Sequence, residues 1–119
     1  MVTMIPFDEG NIIGILVEGE IDDEGVKKVL TTVDEKSTQY EKLRIYAEIK
    51  EPGLPKFKTW LESLPSKFKH ISTFEKEAIV SDRAWIEAIA KIGDHLFPSI
   101  EVRHFTFDEI EKAKEWIKK

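Results

Sequence analysis

Asn11-Ile12-Ile13-Gly14-Ile15-Leu16-Val17-Glu18-Gly19-Glu20-Ile21-Asp22 is the stretch on which the reading of this chain turns. Residues Ile12 to Val17 are apolar without interruption by any polar side chain. A strand that met water on one face would alternate, so this one is expected to be covered on both faces, as strands of parallel sheets are. Gly19 ends the run. Asp22 then supplies a helix N-cap, and Asp23 and Glu24 place acids in the first turn, where the helix dipole favours them. Val26, Val29, Leu30 and Val33 follow at helical spacing. A two-sided strand running directly into an amphipathic helix is the opening of an α/β domain.

The rest of the chain extends that unit in both directions. Met1 to Phe7 reads as a short first strand, turned by Asp8, Glu9 and Gly10 into the second through a hairpin-sized link. Leu43 to Ile49 forms the next strand, with Ile45, Ala47 and Ile49 alternating against Arg44, Tyr46 and Glu48. Glu51-Pro52-Gly53 breaks it. Leu54 to His70 reads as helical, and Ala78, Ile79 and Val80 mark a strand from Glu77 to Ser81. Ser81 or Asp82 caps a helix bearing Trp85, Ala88, Ile89 and Ile92, which Gly93 ends. The fifth strand spans Ile100 to Phe107. Asp108 and Glu111 then form an Asp-x-x-Glu capping box for a last helix whose inner face is Ile110, Ala113 and Ile117, with Trp116 beside them. The order is ββαβαβαβα: an α/β fold with a five-stranded mixed, mostly parallel sheet and covering helices. The first strand is the expected antiparallel edge.

Composition bounds what such a domain does. The 119 residues suit one domain, 1–119, and 41% hydrophobic residues are enough for a real core. The net charge is −5, and Arg44, Arg83 and Arg103 are the only arginines. Both facts argue against nucleic acid as a partner, since phosphate contacts need clustered bases and arginine forks. There is no Cys, so disulfides, thiolate zinc sites and cysteine nucleophiles are excluded. Met1 to Asn11 lacks the basic start and apolar run of a secretory signal, and no segment approaches the ~20 apolar residues of a membrane span. A cytoplasmic protein is expected.

No catalytic arrangement stands out. His70, His95 and His104 lie outside any nucleophile motif, and there is no Gly-x-Ser-x-Gly. Asp94-His95 is an adjacent pair, which does not present two ligands along one helix face. Gly10, Gly14 and Gly19 fall at or within strands and form no phosphate loop; Gly14 is expected to mark close packing or a bulge. The carboxylates at Asp22-Asp23-Glu24 and Asp108-Glu109-x-Glu111 are explained by helix starts. No catalytic residue, metal or cofactor is expected.

Leu54 to His70 is the one segment with a competing functional reading. Phe57, Trp60, Leu61, Leu64 and Phe68 form one wide apolar stripe, and Pro65 removes a backbone donor and kinks or splits the helix. Lys56, Lys58, Lys67 and Lys69 stand against the single acid Glu62. The ordinary explanation is a helix docked on the sheet with its lysines in water. The functional one is that two short pieces lift, opening an apolar slot lined by the five stripe residues with Trp85 opposite. The lysines would then meet an anionic membrane surface or an acidic partner.

Taken together, Ile13-Gly14-Ile15 with Gly19-Glu20-Ile21-Asp22, the strand Leu43 to Ile49 followed by a helix with Trp60, Phe74-Glu75-Lys76-Glu77-Ala78-Ile79-Val80-Ser81-Asp82 with Trp85, and Glu101-Val102-Arg103-His104-Phe105 before Ala113-Lys114-Glu115-Trp116-Ile117 resemble the SpoIIAA-like family, relatives of the STAS domains. The resemblance implies a compact five-stranded α/β domain that is not an enzyme. It implies either binding of apolar ligands or membranes, or protein–protein contact of the anti-sigma factor antagonist kind. The antagonists carry a phosphorylated Ser at the start of the helix after the third strand. Here that junction is Glu51-Pro52-Gly53-Leu54-Pro55, without a hydroxyl, and Thr59 is the first one after it. The expected function is therefore a non-enzymatic module for a small apolar ligand or membrane surface, with a protein-interaction module as the alternative. A monomer or a homodimer paired through the first strand fits either.

Overall fold

The computed structural model describes residues 2–19, 23–50, 74–82 and 100–119. Strand β1 (Val2–Ile5) pairs antiparallel with β2 (Ile12–Glu18), Val2 facing Val17 and Ile5 facing Gly14. Strands β3 (Leu43–Lys50), β4 (Phe74–Val80) and β5 (Glu101–Phe105) follow in parallel, and the sheet order β1-β2-β3-β4-β5 is the chain order. The five-stranded, mostly parallel sheet and the antiparallel edge agree with the sequence reading. The two helices expected within residues 54–70 and 82–93 lie outside the described residues.

The apolar run of β2 is buried on both faces, with Ile12 at 4% and Ile13 at 1% exposure. Odd-numbered residues of β2 and β3 (Ile13, Ile15, Val17, Ala47 and Ile49) join Ile79 on one face, together with Val29 and Val33 of helix α1 (Asp23–Ser37). The opposite face gathers Ile12, Tyr46, Ala78, Val80 and Phe105 under Ala113 and Ile117 of helix α2 (Ile110–Lys118). Alternation along each strand thus sorts residues between two cores rather than between core and water.

The largest boundary differences from the sequence reading fall on three strands. The first strand is shorter, Val2–Ile5 in place of Met1 to Phe7. The fourth begins at Phe74 rather than Glu77. Glu75, Lys76 and Glu77 hide it from periodicity; register pairing holds them, Lys76 opposite Arg44 on β3 and Glu101 on β5. The fifth strand stops at Phe105, because Thr106 is the N-cap of a 3-10 turn (Phe107–Glu109) that leads into α2. The capping box is therefore Thr106 with Glu109, not Asp108 with Glu111. The Thr106 N–H donates to Glu109 Oε1 at 3.1 Å, and the Glu109 N–H donates to the Thr106 carbonyl at 2.9 Å. The Thr106 hydroxyl also bonds Asp108 and Glu109. These bonds from Thr106 favour the ionised carboxylate and hold the Glu109 carboxyl below its usual range.

Candidate functional site

The stripe residues Phe57, Trp60, Leu61, Leu64 and Phe68, the lysines Lys56, Lys58, Lys67 and Lys69, and Trp85 all lie outside the described residues. So do His70, His95 and the Glu51-to-Pro55 junction. His104 is on β5, beside Ile79 on the α1 face, half-buried. Among the described residues no group of three or more His, Asp or Glu side chains is placed to hold a metal ion.

The structure builds a different constellation, where β5 meets α2. Arg103 and Phe105 are two apart on β5 and so point to the same face. Lys112, Glu115 and Trp116 of α2 and its C-cap Lys119 fall at steps of three, one and three, which is one helix face. These six residues line an open cavity of about 220 Å³. Phe105 is buried, and the rings of Phe105 and Trp116 lie 6.1 Å apart, tilted by 52°.

Cations surround the indole. Lys76 Nζ sits 4.8 Å from the Trp116 ring centre, and the Arg103 guanidinium 5.9 Å from the Trp116 and Phe105 rings alike. The quadrupole of an aromatic face attracts a cation without neutralising it. No carboxylate of the described residues lies within ion-pair distance of Lys76, Arg103, Lys112 or Lys119. A cationic, aromatic ledge thus stands on an acidic chain. The sequence pattern sets Trp116 beside the inner face of the last helix without connecting it to β5. The i, i+3, i+4, i+7 pattern from Lys112 to Lys119 was the available signal. What it lacked was the strand that α2 packs on.

Arg44 fixes that packing. Its Nε donates to Glu75 Oε1 at 2.7 Å and its Nη1 to the Ile117 carbonyl at 2.8 Å, joining β3, β4 and the last turn of α2. Tyr46, fully buried beneath α2, donates its hydroxyl to Glu48 Oε2 at 2.9 Å and meets Phe7 edge-on at 5.3 Å. Burial, and then the bond to Glu48, raise its phenol above the ordinary range.

A second charged group is in an apolar setting on the opposite face. Glu77 lies between Ile45 of β3 and Val102 of β5, its register partners, with Ile79 next along the same face. A little of the residue reaches solvent, but burial desolvates the carboxyl and pushes its pKa up to about 7.

A sequential five-stranded β-sheet with one antiparallel edge and helices on both faces defines a STAS-type α/β module. The SpoIIAA-like family model matches residues 12–118, nearly the whole chain, and the chain belongs to that family. Its members are generally non-catalytic. Comparisons with curated proteins and with solved structures gave no match.

Proposed function

We propose that this chain is a non-enzymatic binding module that works by docking against another protein, as anti-sigma factor antagonists do. The observation that carries the reading is the ledge of Lys76, Arg103, Lys112 and Lys119 around Trp116. Tryptophan and arginine are the residues that most often dominate protein interfaces, and clustered cations steer acidic partners. Family membership supports the same reading. The test is cross-linking in cells, identification of the attached protein by mass spectrometry, and reconstitution from two purified proteins. A stoichiometric complex on size exclusion is the expected result. Failure of every cross-linked candidate to form one would overturn it.

A second reading has its own support in the lysine-flanked stripe of Phe57, Trp60, Leu61, Leu64 and Phe68: uptake of a small apolar ligand, or attachment to an anionic membrane surface. Co-sedimentation with phosphatidylglycerol vesicles at low and high salt tests it. Salt-sensitive binding that Trp60→Ala abolishes supports this reading, because ionic attraction is screened. No sedimentation at either salt concentration removes the membrane version.

A further inference from the structure

We infer that the cavity between β5 and α2 is the contact site for the partner, and that it takes an acidic side chain from an extended segment of that protein. The inference rests on the docking function proposed above and narrows it to one place and one chemistry.

Charge argues for an acid. Arg103, Lys112 and Lys119 line the cavity against the single carboxylate Glu115, and Lys76 adds a fourth cation over the indole. Among the described residues no carboxylate stands within ion-pair distance of Lys76, Arg103 or Lys119, while Lys112 already attracts the Glu109 carboxylate one turn back. Shape argues for a side chain rather than a metabolite. At about 220 Å³ the cavity is smaller than most small-molecule pockets, which run from about 300 Å³ upwards. One Glu with an apolar neighbour fills it, the stem lying on Phe105 and Trp116. Position argues for an extended segment. Among the described strands β5 is the outermost, and an extended segment adds to a sheet edge through main-chain hydrogen bonds. The residues that would make contact are exposed (Arg103, Lys112 and Lys119) or half-buried (Trp116).

The test uses the full chain and a fluorescein-labelled octapeptide rich in glutamate, with its glutamine counterpart as control, read by fluorescence anisotropy. The glutamate peptide should bind at least tenfold tighter. R103E with K112E should erase that preference, while K27E with K28E, on exposed positions of α1, should leave it intact. Circular dichroism checks that each variant is folded. In NMR spectra the Trp116 indole N–H should shift on titration. Equal binding of the two peptides overturns the proposal, as does an effect of K27E/K28E equal to that of R103E/K112E. So does displacement of the peptide by inorganic phosphate at low millimolar concentration, which would mark a phosphate site. If a reconstituted partner complex forms and R103E/K112E leaves it unchanged, this site falls and the docking function stands. If no complex forms with any candidate, the function itself falls.

Discussion

Glu77 is the residue at which pH should be felt most. A carboxyl whose pKa is raised by folding, from 4.5 to about 7, binds its proton more tightly in the native state than in the unfolded chain. Its contribution to stability is therefore complete below pH 4.5 and is lost as pH rises to about 7. Glu77→Gln removes the titration. Urea denaturation across that range should show wild-type stability falling with pH relative to the variant, by at most about 3 kcal/mol at pH 8. Parallel profiles would show that the carboxyl is solvated. Gly14 is sensitive for a steric reason. A Cβ there would collide with the Ile5 carbonyl and stand 2.7 Å from Phe7 Cε2, so β1 must move to admit it. Gly14→Ala should cost about 1–3 kcal/mol by overpacking, seen as a lower urea midpoint. Gly19 has φ of +62° and open space around it, so a side chain there is limited by backbone conformation and not by contact.

At the scale of elements, α2 depends on a neighbour distant in sequence. Its inner face buries Ala113 and Ile117 completely, yet its last turn is tied down by Arg44 of β3 through the Ile117 carbonyl. A cation at a helix C-terminus also complements the dipole. Arg44→Met removes both bonds and leaves Glu75 without its partner. It should destabilise the protein by roughly 1–3 kcal/mol, the range for bonds to charged groups. Arg44→Lys should recover little, since a single ammonium cannot make the forked contact. If Arg44→Lys matches the wild type in chemical denaturation, the fork contributes nothing. The start of β4 shows why some elements escape a reading by pattern. Glu75-Lys76-Glu77 has no apolar period, but three charged residues can lie in a strand when flanking strands supply the ladder and Arg44 and Glu101 stand opposite or adjacent.

Across the whole molecule, the parallel strands β2, β3 and β4 each have neighbours on both sides, whereas β1 and β5 have one apiece among the described strands. Amide hydrogen exchange should follow that order. The slowest amides are expected in β2, β3 and β4 and faster ones in β1 and β5, because inner strands open only with the global unfolding. Uniform protection over all five would contradict it. Strand count, the mixed sheet and the two-sided burial of β2 were legible from the residues alone, because each follows from spacing and apolarity within a few residues. The sequence also marked the helix that carries Trp116 and named the aromatic stripe from Phe57 to Phe68. It took the packed fold to bring Arg103 and Phe105 against Lys112 and Trp116, to close the end of α2 with Arg44, and to give Glu77 apolar neighbours on both sides. Such pairings join residues that local spacing leaves independent. They exist because burying two apolar faces on one sheet brings distant side chains to a single place.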